Sequence, residues 1–322
     1  MIDNILVLGG GGFIGRHVVN ALAARGRRVT VPSRHRERDK HLLLLPTVEV
    51  ADADINDPPA LRRLVAGRGA VINLVGILHS PPGRRDERGP NDYAPGFAQA
   101  HVELPQSIVS LCREHGVRRV LHMSALGAQR DAPSEYLRSK GIGEEAVLAA
   151  AEIDATVFRP SVVFGAEDAF LNLFSRLAGL TPVLAIACPE ARFQPVYAVD
   201  VANAVVMALE DRSSFGKRYD LCGPKAYTLR ELVEYVCRVT GRSRMVVGLP
   251  DSLGYLQAWV LEHLPGPLMS RDNLLSMQVP SVSDQPLPFG IVATPMEAIA
   301  PRYLLRGGPR AHYGAYRDRA RR

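Results

Sequence analysis

Apolar positions along this chain change their period repeatedly. Residues 5–8, ILVL, run apolar without interruption, as in a strand buried on both faces. Ile14, Val18, Val19 and Leu22 then recur at helical spacing, and Gly26 can end that helix in a left-handed cap. Further apolar runs at 28–31, 48–50, 70–78, 117–125 and 155–165 predict five more strands. Helical patterns fill 14–25, 58–66, 97–115 and about 135–151. Strands that alternate with helices imply βαβ units with right-handed crossovers. The predicted fold is therefore α/β: a Rossmann-type doubly wound parallel sheet with helices on both faces, plus a small C-terminal substrate-side α/β subdomain. The expected division is residues 1–165, an interleaved 166–300, and a basic tail at 301–322. A strand near 193–198 is expected to return to the main sheet.

Past residue 165 the alternation fades. Thr228 and Glu231 form a capping box at the head of 227–236. A helix from 251 to 264 is expected to close at Pro265-Gly266-Pro267. Residues 80–95, SPPGRRDERGPNDYAP, read as a loop after strand four, where it would serve as a lid over a ligand crevice.

Between the first strand and first helix lie four glycines. Gly9, Gly12 and Gly15 spell G-x-x-G-x-x-G, followed by Phe13, Ile14 and Arg16. Such a turn brings backbone N–H groups against a pyrophosphate, and the helix dipole adds to the attraction.

Composition narrows the class. The chain has 322 residues, 47% hydrophobic and 22% charged, which suits a globular protein with a large core. No 18-residue apolar stretch occurs, so no transmembrane segment is expected. The first strand begins almost at Met1, which argues against a signal peptide. Cys112, Cys188, Cys222 and Cys237 form no C-x-x-C pair and read as free thiols; no metal site is expected. Residues 302–322 hold seven arginines and one aspartate, which accounts for the whole net charge of +6. The body is thus balanced, and no nucleic-acid partner is expected. The expected location is cytoplasmic, with a peripheral position at the inner face of a membrane as the alternative.

A second constellation follows strand five. Ser124 sits at its end, and Tyr136 and Lys140 stand one helical turn apart. An ammonium near a phenol lowers its pKa, and a serine hydroxyl can orient a substrate oxygen. These three are the candidate catalytic residues.

In order, Gly9/Gly12/Gly15, Asp54-Ile55, Ser124, Tyr136/Lys140 and RPSVVFG (159–165) resemble the motifs of extended, atypical short-chain dehydrogenase/reductases. GFIGRHVV, HLLLLPTVEV, INLVGIL, HVELPQSIV, YLRSKGIGEEAV and FRPSVVFG are similar to the nucleotide-binding accessory subunit of respiratory complex I, the alpha-subcomplex subunit nine family, and its bacterial relatives. The resemblance spans about residues 1–280. It implies a bound nicotinamide nucleotide, with Asp54 and Ile55 beside the adenine, Val75 and Gly76 along the cofactor, and Pro160 and Ser161 at the nicotinamide. It also implies complex I as a partner. Many extended members carry an asparagine on helix four; the matching stretch AHVELP offers His101 instead, as a proton relay or as a satisfied helix histidine.

Strand two ends in TVPSRHRERDK, with Ser33 and Arg34 where an NAD-binding carboxylate would stand. Arginine there suits a 2′-phosphate, with Arg16 as a second contributor, so NADP(H) is favoured over NAD(H). Two functional classes remain. One is a cofactor-holding structural or assembly protein with residual reductase capability, towards which the resemblance leans. The other is an active NAD(P)-dependent oxidoreductase on an apolar, quinone- or lipid-like carbonyl or alcohol. A sugar-nucleotide epimerase or dehydratase is a weaker third. Segment 251–269 is expected to cover the substrate, with Tyr255, Leu256, Trp259 and Leu268 making it apolar.

Overall fold

The computed structural model describes residues 2–80, 93–264 and 268–305. The first half builds β1 (Asn4–Leu8), α1 (Phe13–Ala23), β2 (Arg28–Ser33), β3 (Val48–Asp52), α2 (Pro58–Val65), β4 (Ala70–Asn73), α3 (Pro95–Phe97), α4 (Leu104–Glu114), β5 (Arg119–Met123), α5 (Glu135–Leu148) and β6 (Asp154–Pro160). After these come β7 (Val163–Phe164), α6 (Phe170–Leu180), β8 (Val183–Ile186), β9 (Arg192–Phe193), β10 (Val196–Tyr197), α7 (Ala198–Ala208) and β11 (Lys217–Leu221). The chain continues through β12 (Tyr227–Thr228), α8 (Leu229–Val239), β13 (Met245–Gly248), α9 (Asp251–Glu262), α10 (Arg271–Ser276) and α11 (Met296–Leu304).

Seven parallel strands form the central sheet in the order β11-β6-β5-β4-β1-β2-β3. The order reverses between β1 and β4, and a crevice opens at the carboxyl ends of those strands. Strand alternation separates two apolar layers. Ile5 and Val7 face Val18, Val19 and Leu22 of α1 and Val201 and Val205 of α7. Leu6 and Leu8 face Leu61 and Leu64 of α2, Ile108 of α4 and Val147 of α5. Helices thus cover both faces, as predicted. A third core joins α6, α8 and α11 with β8 and β9 on the substrate side.

Two expectations about strands are corrected. Segment 193–198 does not return to the main sheet: β9 pairs β12, and β10 pairs β7, each over two residues. The seventh strand is β11, which lies beside β6 from Lys217↔Thr156 to Leu221↔Pro160. Residues 155–165 form β6 and β7 with a break at Ser161-Val162, where the Ser161 N–H donates to Leu221 O at 3.0 Å.

The predicted helix at 97–115 is interrupted. A π-helical turn, Ala98–Glu103, joins α3 to α4. Such turns concentrate at functional sites because they rotate one side chain out of helical register. The predicted loop at 80–95, the Pro265-Gly266-Pro267 stop and the tail beyond 305 lie wholly or mainly outside the described residues. No helix among the described residues is long and apolar enough to cross a membrane.

Candidate active site

The glycine turn lies at the point where strand order reverses. Gly9 has φ +78°, and a Cβ there would press on the backbone of Leu74 and Val75 beyond β4. Gly15 meets the backbone of Gly9 and Gly10 so closely that any Cβ would overlap it. Gly12 differs. Its backbone is extended, it is the N-cap of α1, no side chain caps that helix, and an added Cβ would meet only Gly9 O at 3.2 Å. The first N–H groups of α1 therefore lack intrahelical partners, and the protein leaves room before them, which fits a dinucleotide phosphate.

The other predicted cofactor residues distribute unevenly. Val75 donates its N–H to Asn73 Oδ1 at 3.1 Å and its carbonyl accepts from Lys140 Nζ at 3.3 Å, so the end of β4 is tied to α5. Gly76 is exposed beside them, and a Cβ on it would stand 3.0 Å from Lys140 Nζ. Asp54 folds an Asx turn onto Asn56 N at 2.9 Å, and Ile55 packs on the α2–α4 core. Phe13 packs against Gly165, and Ile14 against the α1–α7 core. Pro160 closes β6 with its carbonyl on Leu126 N at 3.0 Å.

Ser161 is different from the expectation. Its hydroxyl donates to Ser281 O at 2.7 Å and accepts from Gln194 N at 3.1 Å, so it joins the end of β6 to the substrate-side chain. Arg16 likewise departs. It pairs with Glu167, beyond β7. Ser33 Oγ accepts from His35 N at 3.2 Å, and Arg34 is exposed. Sequence reading missed Asp39, whose carboxylate lies over Gly11 of the turn from the 3₁₀ segment Arg36–Leu44.

Ser124, Tyr136 and Lys140 come together at the ends of β4 and β5. Ser134 caps α5 by accepting from Leu137 N at 3.2 Å. Lys140 is buried and donates to Met123 O at 3.1 Å as well as Val75 O. Burial holds its pKa down at about 8. Burial pushes Tyr136 up to about 12, and the Lys140 ammonium is hydrogen-bonded to the two strand-end carbonyls. A neutral phenol is the proton-donating form near neutral pH. Ser124 is 3% exposed, and its buried Oγ has no hydrogen-bond partner among the described residues. A buried orphan hydroxyl is costly, and a substrate oxygen would satisfy it.

His101 emerges from the π-helical turn as a satisfied histidine. Its Nε2 accepts from Ile77 N at 3.1 Å, which fixes the proton on Nδ1; that N–H donates to Ser139 Oγ at 2.9 Å. Ser139 in turn donates to Tyr136 O at 2.9 Å. Burial, then Lys140 and His122, hold His101 well below its usual pKa, so it is neutral. Gly143 makes this possible, because a Cβ there would overlap the His101 carbonyl. The GIG of YLRSKGIGE was the available signal.

Beneath lies His122, which the sequence reading passed over as part of a strand. Asn73 Nδ2 donates to its Nδ1 at 3.2 Å, and its Nε2 is buried without a partner among the described residues. Burial and Lys140 hold its pKa down at about 3. An unfolded histidine binds protons below about 6.5, so this group costs stability as pH falls from 6.5 towards 3. His122→Gln should flatten that part of a pH–melting curve; an unchanged acid limb would remove His122 as its cause.

A cavity of about 760 Å³ lies between the start of α5 and the substrate side; Ser124, Tyr136 and Lys140 are not among its described lining residues. Phe97, Pro133 and Glu135 line it near Tyr136, and Asp251, Tyr255, Glu262 and Asp272 line it opposite. Its arginines are engaged. Arg138 donates to the carbonyls of Ala132 and Pro133 at 3.1 and 3.0 Å. Arg271 donates to Glu262 at 2.7 Å and to Tyr255 OH at 3.1 Å. Asp272 accepts from the N–H groups of Glu135 and Tyr136 at 2.6 and 3.0 Å, which docks α10 on the start of the triad helix. Of the four residues expected to make an apolar cover, Tyr255 alone lines the cavity among the described residues, and all four are exposed.

Comparisons agree with this architecture. The Arabidopsis thaliana protein called NADH dehydrogenase (ubiquinone) 1 alpha subcomplex subunit 9, mitochondrial, is 35% identical over 277 residues, 82% of this chain. The chain spans 65% of that relative's length. Ceramide reductase of Caulobacter vibrioides is 30% identical over 80% of this chain and 76% of its own. The crystal structure of gox2253 shares the fold with a TM-score of 0.65 at 23% identity, covering 86% of this chain and 88% of the other. Residues 5–222 match the model of the NAD dependent epimerase/dehydratase family, and the chain belongs to that family, as an NAD(P)-binding protein with a short-chain dehydrogenase/reductase-like fold.

Proposed function

We propose that this protein binds NADP(H) and reduces an uncharged, apolar carbonyl compound. The observation that carries this reading is Ser124 Oγ, buried and unpartnered beside a neutral Tyr136 phenol. When bound, the reduced nicotinamide supplies hydride. Ser124 orients the carbonyl oxygen, Tyr136 donates the proton to it, and Lys140 holds the geometry from the ends of β4 and β5. The cavity supports an uncharged substrate. Both arginines among its described lining residues are spent on internal partners, and the four carboxylates of that lining outnumber them, a balance that a sugar-nucleotide diphosphate would meet unfavourably. The name of the Caulobacter relative, a ceramide reductase, points to a carbonyl on a long apolar molecule.

Oxidation of NADPH by a panel of long-chain and cyclic ketones tests the reading. Turnover with at least one is expected. Conversion of a nucleotide sugar, with no ketone reduced, would overturn it. The preference for NADP(H) rests on Arg34, exposed at the end of β2 with no carboxylate in the two positions that follow. Arg34→Ala should cost NADPH about tenfold or more in affinity and NADH little, since a charged hydrogen bond contributes about 1.5–3 kcal/mol. Equal losses for both nucleotides would remove Arg34 from the site.

A second reading is favoured by His101. Both ring nitrogens are occupied, so the relay that an asparagine supplies in many extended members has no free counterpart there. In that reading the nucleotide is held as a structural part of a respiratory complex I accessory subunit, as the name of the Arabidopsis relative suggests.

A further inference from the structure

Helix α9 is inside out. At 100° per residue, Leu253, Leu256, Val260 and Leu264 follow one face across the helix and its first following turn. All four are exposed. The opposite stripe is Asp251, Gly254, Tyr255, Ala258 and Glu262; its centre, Gly254 and Ala258, packs on the protein, while Asp251 and Tyr255 are exposed. Gly254 and Ala258 are buried, Glu262 holds Arg271, and Gly254 approaches Ala187. Ordinary surface helices do the reverse and turn their apolar stripe inward. Trp259 flanks the outward face, 46% exposed.

A second set of exposed apolar residues lies on the ribbon against which α9 is seated. Gln257 Nε2 donates to Ala185 O at 2.9 Å and seats α9 at β8. In the parallel β8–β13 pair, Val183 lies beside Met245, and Val247 beside Ala185. Val183, Met245 and Val247 are exposed, as is Leu180 just before β8. Apolar residues gathered on one exposed face, as on α9 and again on this ribbon, mark an interaction site, whereas scattered ones do not.

We propose that the outward face of α9, together with the exposed face of the β8–β13 ribbon, docks on an anionic lipid bilayer. Charge selects this occupant. Residues 306–322 carry six arginines and one aspartate, whereas the rest of the chain is nearly neutral. Reversible membrane attachment usually needs two signals, and an apolar face with a polybasic segment is such a pair. The outward stripe itself carries no acidic side chain to repel lipid phosphates. The cavity is lined from the inner stripe of the same helix by Asp251, Gly254, Tyr255 and Glu262, so one helix lies between bilayer and cavity. This docking does not depend on turnover.

Trp259 is the only tryptophan in the chain, so its emission reports on this surface alone. The full-length protein is mixed with vesicles of phosphatidylcholine, or of phosphatidylcholine with phosphatidylglycerol, and both sedimentation and emission are read. Binding to the anionic vesicles with a blue shift of Trp259 is expected. Leu256→Glu/Val260→Glu should lower the bound fraction about tenfold or more, with melting temperature and nucleotide affinity unchanged. Removal of residues 306–322 should erase the preference for anionic lipid and leave melting temperature unchanged. Three outcomes would overturn the proposal. Trp259 emission is indifferent to vesicles; the double variant sediments with vesicles as wild type does; or the protein is a dimer that the double variant dissociates, which would assign the face to a second copy.

Discussion

Gly12→Val removes nucleotide binding and leaves the protein folded. The structure separates these two effects. A Cβ at Gly12 meets only one protein atom, Gly9 O at 3.2 Å, and the backbone there is extended, so the Cβ asks the Gly9 backbone to give by only a few tenths of an ångström. The branched valine side chain then stands before the first N–H groups of α1, where the pyrophosphate would approach. Loss of two charge-assisted hydrogen bonds, about 1.5–3 kcal/mol each, weakens affinity on the order of 100-fold or more. Titration calorimetry with NADPH measures this directly. Gly15→Val is the control. Its Cβ would overlap the Gly9 carbonyl and the Gly10 backbone, so the turn cannot form and melting temperature falls sharply. Normal NADPH affinity in Gly12→Val would mean that the glycine turn does not hold the phosphates. If the cofactor is a structural part of the protein, saturation at 100 times its dissociation constant adds about 2.7 kcal/mol. Gly12→Val would then lose the stabilisation by added nucleotide while keeping the intrinsic stability of the unliganded chain.

What the sequence made legible was whatever rests on local period and spacing. The turn at Gly9–Gly15, the alternation of strands with helices, and the one-turn separation of Tyr136 and Lys140 are each set by a few consecutive residues, and the chain folds as they indicate. What escaped depended on contacts distant in sequence. The Tyr136 pKa was read from the lysine one turn away, but burial raises it, and the strand-end carbonyls of Val75 and Met123 bind that lysine. Arg16 was read beside Arg34, but Glu167 holds it from a loop some 150 residues later. A two-residue strand such as β10 carries no readable period, and the Lys217–Leu221 run that joins the sheet alternates too weakly to stand out. The apolar residues of α9 were visible in the sequence. Their direction was not, because a period shows that a stripe exists without showing which way it faces.

Tyr136→Phe is expected to leave fold and nucleotide affinity intact while turnover falls about 10²–10⁴-fold, the usual contribution of a positioned proton donor. The substitution keeps the ring, whose edge-on contacts with Phe97 and His101 lie at centroid distances of 6.2 and 5.5 Å. It removes only the hydroxyl of a half-buried side chain, and no hydrogen bond of that hydroxyl occurs among the described residues, so stability should move by less than about 0.5 kcal/mol. The phenol is held neutral by burial and Lys140 sits at about 8, so the wild-type rate of reduction should be flat up to neutral pH, fall as Lys140 loses its proton near pH 8, and fall again in strongly alkaline medium as the phenol ionises. Removing the hydroxyl also removes that second decline. Measured with any ketone that NADPH reduces, a rate unchanged by Tyr136→Phe would take Tyr136 out of the chemistry. The same variant also decides between the two readings of function. An accessory subunit that only holds its nucleotide has no use for a proton donor, so cells carrying Tyr136→Phe would assemble and respire as wild type, whereas Gly12→Val would harm them. A reductase would show both variants equally impaired in whatever process consumes the reduced product, although Tyr136→Phe still purifies with its nucleotide bound.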